Sequence, residues 1–586
     1  MASVDEIFKK SGIPSKRKLN AVKDPNEIYK SAKLTGKGAT RHARVDDDDN
    51  IEAGPAPPPE DGDDQDFGPE MPPDDGDDEE GRFFGGGISK QESEILDFVE
   101  GADGSKVEDK LDVTWLRKTA LNFEKRITKN AELRAKFESE PQKFIGSEAD
   151  LDSDIKALSV LSEHPELYEE FVRLGCAVSL VGLLAHENTD IAIDAIEIIG
   201  ELTDEDVDAE DAQWNALVDA LIDADLLGLL ISNFSRLDER DESDRNGVYY
   251  ALGVVENLCS RTTAAARINQ SPGLLRWLLD RIQQSEPTVT QNKQYAAEIL
   301  AILAQSSPEA RRGVIDMGGI DTMLQLVSPY RRRDPDKSGE EEEYMQNLFE
   351  ALTCLVDEME GKAKFVEAEG VELCLLMLKE GKMSKGPALR LLDHATAGQT
   401  AGDVCQKVVE AGGLKTTFTL FAKTQDHRLL SHLIAIFASM LRVLPANSAE
   451  RIRTLAKFVE KDYSKVTKLM KLRRDYGAQV KRAEQENEGE RREASQDDAE
   501  VLEMRWLSRR LDAGLFTLQT IDVILAWLVA EDGGSRRKIK QLLAERDETL
   551  SVIKATLLDQ MEGIDTSEED GRDTKDMLGT LVEFLQ

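Results

Sequence analysis

The chain has 586 residues, a formal net charge of −40 and only 5% aromatic residues. So acidic a body is a poor direct ligand for nucleic acid, because phosphate binding needs a basic stripe. Its five cysteines, Cys176, Cys259, Cys354, Cys374 and Cys405, stand far apart with no C-x-x-C pair, which argues against a disulfide framework or zinc site and fits a reducing, intracellular compartment.

Residues 1–44 are basic, with eleven Lys or Arg against four Asp or Glu. They contain no apolar signal core. Within them "PSKRK" (14–18) places Lys16, Arg17 and Lys18 side by side, a cluster that suits the acidic groove of an import receptor. We read it as a nuclear import signal; an ordinary solvated basic run is the plainer alternative. Residues 46–80 hold seventeen acids and no base. Rich in Pro and Gly, this segment cannot bury enough apolar surface to offset its ordering entropy. Residues 1–87 are therefore expected to form a disordered tail, basic and then acidic, which leaves about −30 on the rest of the chain.

Residues 88–150 are expected to form an N-terminal helical cap. "SKQESEILDFVEG" and "DVTWLRKTALNFEKRITKNAELRAKF" read as helices, with Trp115, Leu116, Leu121 and Phe123 available to pack. From 151 to 445 one pattern returns. A turn precedes an apolar helix in "RLGCAVSLVGLL" (173), "LIDADLLGLLISNF" (221), "NQSPGLLRWLLDRI" (269), "DMGGIDTMLQLV" (316), "EAEGVELCLLML" (367) and "EAGGLKTTFTLF" (410). The anchor glycines Gly273, Gly319, Gly370 and Gly413 recur 43 to 51 residues apart, the longest step exceeding the 40–47 residues usual for armadillo and HEAT repeats. Each is expected to stop a helix and let the chain reverse where a Cβ would be strained. A polar break and a second apolar helix follow, as in "YAAEILAILAQ", whose Tyr295, Ile299, Ile302 and Leu303 form one buried stripe. Such units cover their apolar faces only by stacking.

Between two such helices lies a charged insertion, "SPYRRRDPDKSGEEEE" (328–343), read as a solvated connector in preference to a docking loop. Residues 446–586 are expected to form a C-terminal helical region. In it "ENEGERREASQDDAE" (486–500) reads as a loop and "VLEMRWLSRRLDAGLFTLQTIDVILAWLVAE" as one long amphipathic helix or a helical pair. Its apolar face (Trp506, Leu511, Leu515, Leu518, Ile521, Leu525) either closes the array or meets a second copy in a homodimer. The most apolar run, 515–530, is broken by Gln519 and Asp522 and is shorter than the ~20 residues of a membrane span, so no membrane contact is expected.

Chemistry is not signalled. None of the six histidines stands at metal-ligand spacing, and His394 in "LLDHA" reads as a packed core residue. No phosphate-binding glycine loop or nucleophile elbow is present, and the paired acids sit in solvated runs. Catalytic, cofactor-binding and metal-ligating residues are therefore expected to be none. The expected fold is all-α: an armadillo/HEAT-like superhelical solenoid with helical caps and a disordered N-terminal tail. Its acidic groove should attract basic peptide segments of other proteins.

Five stretches carry a closer likeness: "LNFEKRITKNAELRAKF" (121–137), "ENTDIAIDAIEIIGELTD" (187–204), "ALVDALIDADLLGLLISNFSRLDE" (216–239), "GLLRWLLDRI" (273–282) and "SRRLDAGLFTLQTI" (508–521). Through them the chain resembles the catenin-beta-like family of nuclear armadillo-type splicing factors. That resemblance implies a non-enzymatic nuclear scaffold. It implies association with the Nineteen complex of the spliceosome through a Myb-domain subunit, and recognition of basic, import-signal-like segments. In style it also supports Lys16, Arg17 and Lys18 as the import signal. An armadillo-type nuclear transport carrier for basic cargo is the alternative. It would need a ladder of Trp and Asn on the inner helices, where this chain offers Asn257 but no W-x-x-x-N series, and residues 1–44 as a self-bound arm.

Overall fold

The computed structural model describes residues 111–586 except 261–266, 269–271, 338, 494–498 and 568. The expected import signal at Lys16–Lys18, the acidic block and the helix proposed over "SKQESEILDFVEG" lie outside the described residues. The chain divides into two compact units, Lys16–Lys125 and the remainder. Of the first, the described part is the start of a helix over Val113–Lys136, opened by Asp112, whose carboxylate accepts from the amides of Thr114 and Trp115 at 2.8 and 3.0 Å. Leu116 and Phe123 in it are fully buried.

The second unit is an armadillo-type array, with no strand among its described residues. Its repeat has three helices, not the two read from the sequence. The full set is seen in Asp211–Asp223, Leu226–Arg236 and Glu242–Cys259, and again in Pro308–Asp316, Gly319–Val327 and Glu340–Leu355. The first helix is short in four of the sets, six to nine residues in Tyr168–Arg173, Pro308–Asp316, Met359–Glu367 and Gly402–Glu410. Two turns show too little periodicity to be recognised alone.

The turn into the second helix also differs by one residue from the expectation. The left-handed residue is Gly175, Asp225, Gly318, Glu369 or Gly412, with φ of 80°, 66°, 78°, 57° and 74°. The anchor glycines Gly319, Gly370 and Gly413 come next and open the second helix. They are glycine for want of space. A Cβ at Gly413 would lie 2.6 Å from the Val408 carbonyl oxygen and one at Gly319 would lie 2.8 Å from that of Val314, while one at Gly370 would enter the Phe365 ring. The glycine therefore lets the second helix press against the end of the first.

The third helices stack side by side as rungs of one layer: Thr189–Thr203, Glu242–Cys259, Gln291–Ser306, Glu340–Leu355, Lys385–Thr396 and His427–Val443. Side-chain caps start several of them. Asn188 accepts from Asp190 N, Asp241 from Ser243 N and Asp244 N, and Asp426 from Arg428 N and Leu429 N. A seventh rung follows, but from farther along the chain: Leu515–Glu531 packs on His427–Val443.

Between the sixth and seventh rungs run a helical segment over Ala449–Glu493, broken at Glu460–Tyr463, and a helix over Ala499–Asp512. The loop expected at 486–500 is thus helical as far as Glu493 and again from Ala499. The structure accounts for this: Asn487 and Glu490 hold the next helix, through Asn487 Nδ2 to Trp506 O at 3.2 Å and Arg509 to Glu490 at 2.8 Å. Of the apolar face assigned above, Trp506, Leu515, Leu518, Ile521 and Leu525 are buried within the chain. It closes the array, which leaves the expected homodimer without that face. Gly533–Ala544, Ser551–Glu562 and Glu569–Phe584 complete the region around the seventh rung. Among the described residues no single helix is long and apolar enough to cross a membrane.

Candidate interaction face on the third-helix layer

Each rung buries an apolar majority and leaves one narrow polar stripe. On the first rung, Ile191, Ala192, Ile193, Ala195, Ile196, Ile198, Ile199 and Leu202 are buried, and the half-buried stripe is Asp194, Glu197 and Glu201. Their i, i+3, i+7 spacing keeps all three carboxylates on one side of the helix. The second rung contributes Tyr250, Glu256 and Asn257, while on the third the corresponding Gln294 and Glu298 are buried. Glu350 comes from the fourth rung, Arg390 and Asp393 from the fifth, and His432 and Arg442 from the sixth.

Adjacent rungs are joined through this stripe. Tyr250 stands beside Glu197, whose charge helps to raise its phenol, the phenol of Tyr295 donates to Glu256, and Asn257 Nδ2 donates to Gly200 O at 3.0 Å. Farther along the joints are made by basic side chains. Arg390 Nη1 stands 3.9 Å from Glu350, His432 Nδ1 2.8 Å from Asp393, and Arg442 Nη2 2.9 Å from Asp570. At the near end Lys156 Nζ lies 3.4 Å from Asp194 and also pairs with Asp152. Burial, with Asp152 beside it, pushes the Asp194 carboxyl up to about 7, and the hydrogen bond from Asp194 holds Asp152 below the ordinary carboxylate range. Burial and then Glu197 push the Tyr250 phenol up to about 12.

The other sequence-predicted residues fall as follows. His394 is not a core residue: it is partly exposed, with Nδ1 3.2 Å from Asp357. Asn257, the one candidate for an Asn ladder, directs its amide to the neighbouring rung. Trp214 is buried with its indole N–H on Thr203 O, and Trp277 stacks on Phe234 at 3.9 Å, so neither stands in such a ladder. The charged insertion is a largely exposed connector, as read, but it is anchored at several points. Arg331 pairs with Glu380 at 3.3 Å, Asp334 accepts from Met383 N, and Ser384 Oγ donates to Tyr330 O at 2.8 Å. It fastens one repeat to the next. All five cysteines are buried free thiols, and burial raises Cys259, Cys354 and Cys405 to about 12. Among the described residues no three His, Cys, Asp or Glu side chains gather at metal-holding distance. What the sequence did not reveal is the pairing between rungs, since Tyr250 and Glu197 belong to different repeats with no local signal linking them.

Comparison with known proteins places this geometry. Residues 93–558 match the family described as "Catenin-beta-like, Arm-motif containing nuclear". The "Beta-catenin-like protein 1 homolog" of Schizosaccharomyces pombe is 41% identical over 468 residues, covering 80% of this chain and 82% of the relative. The human "Beta-catenin-like protein 1" is 36% identical over 496 residues, covering 81% and 86%. Among solved structures, an engineered protein superposes with a TM-score of 0.46 at 15% identity, over 78% of this chain and 99% of that one.

Proposed function

Because the chain belongs to the catenin-beta-like family of Arm-motif containing nuclear proteins, we propose that this non-enzymatic nuclear scaffold holds basic segments of partner proteins against its third-helix layer. The observation that carries the proposal is the pair of carboxylates Glu197 and Glu201 on the first rung, continued by Glu256 on the second. A body of about −30 adds a long-range field that draws cationic segments toward that stripe. The partners proposed are spliceosomal proteins of the Nineteen complex, reached through its Myb-domain subunit, in pre-mRNA splicing. An import receptor that reads Lys16, Arg17 and Lys18 would bring the chain to them. Both partner assignments follow the family resemblance.

The test is affinity purification of the tagged full chain from nuclear extract, with and without RNase, followed by mass spectrometry. Splicing proteins retained after RNase and released by rising salt are the expected result. Import receptors accompanied by diverse cargo would replace the scaffold with the carrier, and loss of all partners on RNase treatment would overturn direct protein binding.

A further inference from the structure

The chain carries −40, yet its charge reverses locally beside the seventh rung. Residues 461–482 hold eight Lys or Arg against two Asp, and residues 535–546 hold five against one Glu. The fold brings the two stretches together. The first runs on from the break in Ala449–Glu493, the second lies mostly in Gly533–Ala544, and the two helices pack on each other. The Tyr463 hydroxyl lies against Gly534 at one end, and Arg474 Nη2 donates to Leu542 O at 2.6 Å near the other. They therefore run side by side in the same direction.

Their apolar side chains, Val466, Leu469, Ile539 and Leu543 among them, are buried, and what remains outside is basic. Lys471, Lys481, Arg482, Arg537 and Lys540 are exposed and Lys538 is half-buried. Lys471 and Arg482 stand three turns apart on one side of their helix, and Arg537 and Lys540 one turn apart on theirs. No carboxylate among the described residues pairs with any of these six. Elsewhere on the array basic side chains such as Arg311 and Lys407 are matched by Glu358 and Glu372. Like charge is crowded here: burial and then Lys471 hold the Lys468 ammonium below its ordinary value.

An acidic protein segment and a nucleic-acid backbone both carry the complementary charge. Protein segments are held chiefly by aromatic and apolar anchors seated in pockets, and no large hydrophobic side chain of either stretch is exposed. A phosphate backbone needs only Lys and Arg at successive positions. At roughly 1.5 Å per residue, Lys471 to Arg482 spans roughly 16 Å, with the neighbouring helix roughly 8–10 Å away. A strand of several nucleotides meets both rows.

We propose that this paired-helix surface binds the sugar–phosphate backbone of a single nucleic-acid strand, through Lys471, Arg482, Arg537 and Lys540, without reading its sequence. The net charge that argues against nucleic acid for the body as a whole hides this one surface. It is made by helices outside the third-helix layer, and the inference does not depend on the scaffold reading.

The test uses the full chain and fluorescently labelled single-stranded oligonucleotides of mixed sequence, RNA and DNA, with a polyglutamate peptide of matched charge alongside. Anisotropy is read across a salt series. At least one strand should bind at low salt, the tighter one naming the source, and two RNAs of unrelated sequence should agree within about twofold. The triple substitution Lys471→Gln, Arg537→Gln and Lys540→Gln should weaken binding by about tenfold or more. It should also flatten the log–log salt slope by about 2, at roughly 0.7 per lost phosphate contact. Lys471→Arg with Lys540→Arg keeps the charge and should bind as the wild type does. Lys379→Gln, Lys415→Gln and Lys423→Gln remove the same charge from exposed lysines of two second helices and should change binding by less than about twofold. All variants are first checked for an unchanged melting curve. No binding by the wild-type chain, or equal losses in the two triple variants, would overturn the assignment. Tighter binding of the peptide than of either strand would replace the nucleic acid with an acidic protein partner. A marked preference between the two RNAs would overturn recognition through the backbone alone.

Discussion

At Gly318 the backbone is left-handed (φ 78°) and a Cβ would meet nothing within 4 Å, whereas at Gly319 it would strike Val314. The two glycines therefore answer different demands, one on dihedral angle and one on space. Gly318→Ala should cost about 1–2 kcal/mol for a left-handed alanine. Gly319→Ala should cost more, about 2–4 kcal/mol, because the second helix must back away from the first. Thermal unfolding of the two variants checks the order, and the reverse order would place the turn one residue later, as the sequence first suggested. Asp194 supplies a second prediction at this scale. Its carboxyl is raised to about 7 in the fold, with Asp152, Lys156 and Tyr250 around it. The native state thus favours the neutral form. Its contribution is full below the ordinary carboxylate range and is lost as pH rises through about 7. Asp194→Asn stays neutral throughout, so the drop in melting temperature from pH 5 to pH 8 should be smaller in the variant than in the wild type.

Helices in this array are closed by basic side chains that reach their last carbonyls. Lys468 Nζ donates to Phe421 O and Thr424 O at 2.6 and 2.8 Å, Lys362 Nζ to Val356 O at 2.6 Å, and Arg236 Nη2 to His186 O at 2.6 Å. A cation there meets the negative end of the helix dipole as well as unsatisfied oxygens. Arg451 is the most heavily engaged of these. It donates to Leu444 O at 2.8 Å, pairs with Glu531 at 3.0 Å and lies 4.7 Å over the Trp527 ring, so it ties the sixth rung to the seventh. Arg451→Met should cost about 3–5 kcal/mol, because it strands a partly buried carboxylate and two carbonyls. A melting curve little changed from wild type would show the tie to be unimportant. None of these long-range caps was legible in the sequence. The third helices were, because most run long enough for their apolar spacing to declare itself, and the turns were, through their glycines. The first helices were missed for shortness. The left-handed position was misplaced because Asp225 and Glu369 occupy it in two of the five turns, so glycine does not mark it throughout.

Across the whole molecule the candidate face was only half legible. The acids of "DIAIDAIEIIGELT" stand in the sequence at helical spacing, but which of them remain charged depends on what the next repeat places opposite. Tyr250 and Tyr295 lie 39 or more residues from their partners Glu197 and Glu256 in the chain. Their function emerges only when rungs stack. Of the two readings left open for the C-terminal apolar face, the structure shows closure within the chain, and this makes a prediction about the entire array. A chain ending at Gly514 lacks the seventh rung, so the buried face of His427–Val443 loses the helix that covers it. In a solenoid an uncovered terminal repeat exposes its apolar stripe. The truncated chain should bind a hydrophobic dye and self-associate on sizing chromatography. Behaviour identical to the full chain would mean that the sixth rung closes the array by itself.

The seventh rung has one more consequence, and it concerns time. Every earlier rung is followed within one repeat by the neighbour that covers it, but the sixth waits for a helix that begins some seventy residues later. At roughly 5–20 residues per second of synthesis, that interval lasts on the order of several seconds. Through it, Leu433, Ile436, Phe437 and Met440 belong to a growing chain whose closing piece has not yet been made. The spatial neighbour that arrives last in translation therefore sets a window in which the nascent protein depends on the ribosome and on chaperones to stay single.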